Sequence, residues 1–302
     1  MKKILITGGM GFLGRQCVKI FLEKGYDVVS TDKVIGADLI GDLTNPEFVR
    51  SLPEVNTVVN CSAVQYVTKD KPFFRQKFFI SNNVLSAKLL SERYKENTHF
   101  IHIGTSMMYH QEERDIEETF RLGVNGSYSK SKYDAQFHIN NIVTSATIIP
   151  CIIGGVGREG LFRPFVKMIE SSPVVLIPGD GCNPIHMVHV DDVANLIFLV
   201  AIKKSTGFFN AASPVPLTIR DWIKVIANSL GRPFPKVLSI PMGLISACSV
   251  ISGYRLLARE QVLMLNSRHV LSTTKSMQLG WLPKYSNLDI CAQMADYLSS
   301  PP

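Results

Sequence analysis

Residues 1–14 read MKKILITGGMGFLG, and their order decides the fold. Ile4-Leu5-Ile6 is a short apolar run of the kind that forms a buried strand. It leads into Thr7-Gly8-Gly9-Met10-Gly11-Phe12-Leu13-Gly14, and then into a helical pattern with Val18, Phe21 and Leu22 on one face. A strand, a glycine turn and a helix start make a cradle for phosphate. Backbone N–H groups converge on the anion and the positive end of the helix dipole favours it. Glycine is required where φ turns positive, or where a diphosphate must lie against the main chain. The spacing is G-x-x-G-x-x-G. With a strand before it and an amphipathic helix after it, the turn predicts a nucleotide cofactor.

The same alternation continues down the chain. Short apolar runs at 26–32, 37–42, 57–61, 99–104 and 145–149 predict further strands, and helical spacing marks 78–94, 127–143 and 191–201. Within 78–94 the apolar positions are Phe79, Val84, Ala87, Leu89 and Leu90. Strands alternating with helices imply an α/β fold: a parallel, doubly wound sheet of the Rossmann type, covered on both faces. After Pro150 the rhythm changes and glycine and proline become frequent. The expected organisation is a dinucleotide-binding domain of residues 1–153 plus about 190–212. A smaller, discontinuous α/β substrate lobe takes about 154–189 plus 213–302.

Composition limits the partners. The chain has 302 residues and a formal net charge of +7, which suits an anionic cofactor. Its basic residues are dispersed rather than interleaved with aromatics, which argues against nucleic acid. The six cysteines, at 17, 61, 151, 182, 248 and 291, form no Cys-x-x-Cys pair and read as reduced thiols of a cytoplasmic protein. The start has no apolar leader pattern. Residues 237–254 (VLSIPMGLISACSVISGY) carry no charge. Pro241, Gly243 and several serines make them a buried helix or an apolar lid over a substrate rather than a membrane-contacting segment.

Asp32 closes the second strand, where a carboxylate accepts hydrogen bonds from the adenosine ribose and repels a 2′-phosphate. That favours NAD over NADP, although Lys33 beside it weakens the preference. Asp42, at the end of the third strand, is placed for an adenine amino group. In Tyr128-Ser129-Lys130-Ser131-Lys132, Tyr128 and Lys132 are four apart and share a helix face. An ammonium there stabilises phenolate and holds the nicotinamide ribose, so Tyr128 serves as a general acid/base. Thr105-Ser106 follows the fifth strand, at the carboxyl edge where such sheets bind ligands.

Taken together, TGGMGFLG (7–14), Asp32, GDL (41–43), NCSA (60–63), NNV (82–84), GTSMMY (104–109), YSKSK (128–132), GDGCNPIHMVHVDDVA (179–194) and LGW (279–281) resemble the extended short-chain dehydrogenase/reductases, the NAD-dependent epimerase/dehydratase group. The resemblance spans nearly the whole chain. It implies a catalytic triad on Thr105, Tyr128 and Lys132. It implies cofactor contacts at Gly8, Gly11, Phe12, Leu13, Gly14, Asp32, Lys33, Asp42, Leu43, Ala63, Tyr128, Lys132 and Pro150. Substrate would meet Thr105, Ser106, Met107 and Tyr128. Departures from the group's patterns narrow the reaction. Ser106-Met107 stands where 4,6-dehydratases carry Asp-Glu. Ile185 stands where many sugar-nucleotide epimerases carry an arginine, and about Ile152 where they carry an asparagine. His110 replaces a glycine. The GDGCNPIHMVHVDDV stretch, the Asp32-Lys33 pair and the apolar 237–254 segment look closer to the branch resembling 3β-hydroxysteroid dehydrogenases and related ketone reductases. The leading expectation is therefore hydride transfer between NAD(P) and a secondary alcohol or ketone of a small-molecule substrate. A sugar-nucleotide epimerase with tightly held NAD is the alternative, and a catalytically silent dinucleotide-binding protein is a third.

His186, His189, Asp191 and Asp192 are not read as a metal site. Histidines three apart in an extended segment diverge, and the two acids cap a helix start. Met107-Met108 suits core packing or a pocket wall. Asn82 and Asn83 suit a helix cap or a bond near the site. The helices from Phe78 and Ser127 offer surfaces for a homodimer.

Overall fold

The computed structural model describes residues 2–65, 75–110, 112–160, 162–251 and 259–299. In the first half the order is β1 (Lys3–Thr7), α1 (Phe12–Glu23), β2 (Asp27–Asp32), β3 (Leu39–Ile40), α2 (Pro46–Ser51), β4 (Thr57–Asn60), α3 (Arg75–Phe79), a π-helical turn (Ile80–Val84), α4 (Leu85–Arg93), β5 (His99–Ile103), α5 (Ser127–Ile139) and β6 (Ser145–Pro150). The second half brings β7 (Ile152–Gly154), α6 (Phe162–Ser171), β8 (Val174–Pro178), β9 (Met187–His189), α7 (Val190–Lys203), β10 (Gly207–Ala211), α8 (Ile219–Ser229), β11 (Lys236–Ile240), α9 (Met242–Ile251), α10 (Arg259–Leu265), α11 (Thr274–Gln278) and α12 (Asn287–Ser299).

Seven strands form one sheet in the order β10-β6-β5-β4-β1-β2-β3, and every pairing in it is parallel. The strand order reverses between β1 and β4, so the connections out of these two strands run to helices on opposite faces of the sheet, and the crevice above their carboxyl ends is where such sheets bind ligands. Ile4, Leu5, Ile6, Val58 and Val59 are all buried, as central strands covered on both faces must be. On one face α1 and α7 pack with Ile4, Ile6, Phe21, Val193 and Ile197. On the other, Leu5, Val58, Ala87, Leu90, Ala135 and Ile139 join the sheet to α4 and α5. A separate cluster holds α6, α8 and α12 around Val166, Ile223, Ile226 and Met294. Two small parallel pairs, β11 with β8 and β7 with β9, complete the strands.

Several local expectations shift. In α1 the buried face is Leu13, Gly14, Cys17 and Phe21, while Leu22 is 54% exposed. The helix sits closely on the turn through Gly14, and that rotates Leu22 outward. The helix read over 78–94 is interrupted at 80–84, where an extra residue forms a π turn. The third strand is shorter than 37–42, covering Leu39–Ile40 and leaving Asp42 beyond its end. Helix α7 begins at Val190, so Asp191 and Asp192 lie inside its first turn. Its cap is His189, whose Nδ1 accepts from the Asp191 amide. Asp192 is withdrawn into the fold, where its carboxylate accepts from the Lys284 and Tyr285 amides. Of the uncharged stretch 237–254, residues 252–254 lie outside the described residues. The remainder is neither buried nor a single helix: it divides at Pro241 into β11 and α9, both largely exposed.

Candidate active site

The glycine turn closes as the spacing requires. Gly8 has φ +65°, and its Cα faces the backbone of Ser62 so closely that a Cβ would lie 2.9 Å from Ser62 Cα. The turns after β1 and β4 therefore touch without a side chain between them. A Cβ on Gly14 would strike the Gly8 carbonyl oxygen, which binds α1 tightly to the turn. Gly11 caps α1 without a side-chain bond, so the helix start presents bare amides to the crevice. Leu13 is buried beneath it and Phe12 stands half-buried above.

The Oδ2 of Asp32, at the end of β2, accepts from the Met10 amide at 3.0 Å, and its Oδ1 accepts from the Lys33 amide at 2.7 Å. Each oxygen keeps a lone pair for a ribose hydroxyl. Lys33 is turned away from it: its Nζ lies 3.0 Å from Asp42 Oδ2 and 3.3 Å from Asn82 Oδ1. Thr44 amide and hydroxyl bonds and the Lys33 ammonium hold the Asp42 carboxyl below its usual range against partial burial. Leu43 is buried beside Asp42, and Ala63 lies on the loop after β4. Pro150 ends β6, paired with Ala211 of β10.

Tyr128 and Lys132 stand one turn apart on α5, both buried. Ser129 Oγ accepts from the Gly126 amide and starts the helix. The Tyr128 ring packs edge-on against Phe79, with centroids 5.7 Å apart. Burial pushes the phenol up to about 12. The charge of Arg158 pulls it down, the Glu260 carboxylate pushes it up, and a Gln65 side-chain bond lowers it again. The cation whose charge acts on Tyr128 is Arg158. Lys132 instead lies near Cys61 and His102, and burial lowers its ammonium to about 8. Among the described residues Lys132 Nζ makes no hydrogen bond or ion pair, which leaves its three protons for a ligand.

Thr105 follows β5 and caps a short 3-10 turn, with its Oγ1 accepting from the Met107 amide at 3.3 Å. Ser106 is buried and bonded to His269 Nε2 at 2.7 Å. Met107 is half-buried, and Met108 is packed in the core. Asn83, on the π turn, grips Val64 by both its amide and its carbonyl (2.8 and 3.1 Å) and reaches Ser131 of α5 (3.0 Å). The loop after β4 is thereby fastened to the helix of Tyr128 and Lys132.

Three further residues enter the site from a distance. Arg158 Nη2 donates to Gln65 Oε1 at 2.8 Å, and its guanidinium lies 5.7 Å from the Phe12 ring centroid. The carboxylate of Glu260, on α10, accepts from the amides of Tyr128 and Ser129. His269 backs Ser106. The partners of Arg158, Glu260 and His269 lie 93 to 163 positions away in sequence, so no local pattern betrays them. Ile185, in contrast, is fully buried and pairs with Leu217 and His269, so its position offers no polar contact to a ligand. Among the described residues no cluster of potential metal ligands forms.

This cradle, this acidic strand end and this buried Tyr–Lys pair fit a dinucleotide, and comparison with known proteins agrees with the fold. The low-salt glycan biosynthesis protein Agl12 of Haloferax volcanii is 22% identical over 97% of both chains. A 3-beta-hydroxysteroid dehydrogenase of Mycolicibacterium neoaurum is 23% identical, covering 78% of this chain and 72% of its own. Among solved structures, DesIV, the dTDP-glucose 4,6-dehydratase of Streptomyces venezuelae with NAD and TYD bound, superposes with a TM-score of 0.79. It is 20% identical and covers 98% of this chain and 96% of its own. The Thermus thermophilus UDP-glucose 4-epimerase complexed with NAD gives 0.75 at 20% identity, over 98% of both chains. A family model matches residues 4–212, from the first strand past β10, and by that match the chain belongs to the NAD dependent epimerase/dehydratase family.

Proposed function

We propose that the protein is an NAD-dependent oxidoreductase that interconverts a secondary alcohol and a ketone through Tyr128, Lys132 and Thr105. The observation that carries this reading is the buried Tyr128–Lys132 face of α5, whose Lys132 lies near Cys61 in the turn that meets the glycine turn, with an ammonium that no described protein group satisfies. Bound NAD supplies the hydride acceptor. Tyr128 takes the hydroxyl proton as the carbinol hydride departs, and Thr105 donates to the oxygen as its charge changes. Lys132 would hold the ribose hydroxyls of the bound cofactor and add positive charge near the phenol.

Two features favour simple redox chemistry over dehydration or nucleotide-sugar epimerisation. The residues after Thr105 are a hydroxyl engaged by His269 and a thioether, neither of which is an acid for expelling water. The position of an expected diphosphate-clamping arginine is Ile185, sealed in the core. The curated relatives named above include a hydroxysteroid dehydrogenase, in keeping with this reading.

Mass spectrometry of ligands released from the purified protein, followed by turnover assays on the candidates, tests the proposal. Tyr128→Phe is expected to lower turnover on the order of 10²–10⁴-fold with NAD binding retained. Unchanged turnover removes Tyr128 from the acid/base role. An enzyme that keeps its NAD throughout purification and inverts a sugar carbon without net reduced cofactor is an epimerase instead.

A further inference from the structure

Helix α9 (MGLISACSVI, Met242–Ile251) is apolar nearly all round, yet most of it lies at the surface. Met242, Ile245 and Ser249 face the protein, and of these Ser249 is buried. Leu244, Ala247, Cys248 and Ile251, at i, i+3, i+4 and i+7, form an apolar stripe on the solvent side. Leu244 is 57% exposed and Ile251 85%. An ordinary surface helix turns such a stripe inward. The strand before it behaves likewise: Leu238 of β11 is exposed and lies in register with exposed Leu176 of β8, and Phe234 just ahead is exposed too. Large apolar patches of this kind mark an interaction surface.

Charge identifies the partner. Between Asp221 and Glu260 the chain contains no acid, but it carries Lys224, Arg232, Lys236, Arg255 and Arg259. Arg232 and Lys236 are exposed beside Phe234 and Leu238. Asp180, in the turn after β8, has its Oδ1 on the Cys182 amide. An exposed apolar surface whose β11 part carries exposed cations, with no helix among the described residues long and apolar enough to cross a membrane, matches the headgroup–acyl boundary of an anionic lipid surface. We infer that β11 and α9 form a peripheral docking face for anionic membranes, with Leu244 and Ile251 inserted and Arg232 and Lys236 on the headgroups. This inference is independent of the reaction proposed above.

Sedimentation of the full chain with phosphatidylcholine vesicles, with and without phosphatidylglycerol, tests it. Binding is expected to the anionic vesicles, to weaken as salt rises, and to fall roughly fivefold for each of Arg232→Ser and Lys236→Ser. Leu244→Asp with Ile251→Asp should reduce binding about tenfold or more, while the melting temperature and NADH affinity stay unchanged. Three results overturn the assignment. The protein stays in the supernatant with anionic vesicles; or Leu244→Asp with Ile251→Asp leaves binding intact; or, without lipid, the chain forms a concentration-dependent dimer that the same pair dissolves, which gives the stripe to a second copy.

Discussion

The amide of Tyr128 donates to the carboxylate of Glu260 at 3.1 Å, across 132 positions of sequence. A buried acid from α10 thus anchors the first turn of the helix that carries the proposed catalytic phenol, and also bonds the Ser129 amide. Its charge favours the helix dipole but opposes ionisation of Tyr128. Glu260→Ala should lower stability by about 1–3 kcal/mol, because two helix amides lose a buried acceptor. Glu260→Gln keeps an acceptor without the charge, so most of that stability should return. The phenol limb of the pH–rate profile should then move to lower pH. A profile that stays in place under Glu260→Gln would show that the acid does not sense the phenol.

Arg158 acts on Tyr128 with the opposite sign. Its charge favours phenolate, and it holds Gln65 in place. Arg158→Met should shift the same limb upward and reduce turnover at neutral pH, with a smaller effect above the limb. Stability should change little, since the guanidinium is itself partly desolvated, with its own ionisation lowered by burial. The pH–rate profile and a thermal melt together check both parts.

The local half of this site was legible in the sequence. TGGMGFLG lies within one stretch, and Tyr128 and Lys132 within one helical turn, so spacing alone brings those groups together. The parallel, doubly wound sheet followed from the alternation of strands and helices, because central strands such as Ile4–Ile6 and Val58–Val59 must be apolar on both faces. Arg158, Glu260 and His269 were invisible because their partners come from segments distant in sequence, and chain periodicity carries no long-range pairing. The π turn at 80–84 was also hidden. It keeps helical spacing on either side and inserts one residue, which sends Asn83 towards Val64 and Ser131. The stretch 237–254 misled for a different reason: an uncharged segment reads as buried, and nothing local distinguishes a core helix from an exposed apolar one.

Lys132 gives a prediction about stability. It is buried, makes no ion pair among the described residues, and titrates near 8 instead of 10.5. Below pH 8 both folded and unfolded chains hold its proton, and burying the charge costs about 3 kcal/mol. Between about 8 and 10.5 the unfolded chain binds more protons than the folded one, so this penalty fades as pH rises. Lys132→Met should therefore raise the melting temperature of the cofactor-free protein at pH 7, and the advantage should shrink through that window. Activity should be lost in the same variant, the usual trade between a strained site and a stable one. A melt at pH 7 no higher than the parent's would mean that Lys132 is better solvated than its burial implies.

Coenzyme choice rests on Asp32 and Lys33 together. The Asp32 carboxylate faces the turn through Met10, and a 2′-phosphate brought near it would meet like charge. The Lys33–Asp42 pair is about half-exposed, with side-chain exposures of 51% and 45%. Such a pair contributes only about 0–1 kcal/mol, so Lys33 can leave Asp42 at little cost and meet a phosphate. Asp32→Ala should then weaken NADH binding about tenfold, by loss of charged hydrogen bonds to the ribose. It should strengthen NADPH binding at the same time. Adding Lys33→Ala should remove the NADPH gain and leave the NADH loss as it was. Fluorescence titration of the three proteins with both reduced coenzymes separates the two contributions. An NADPH gain that survives Lys33→Ala would place the phosphate on some other cation of the crevice.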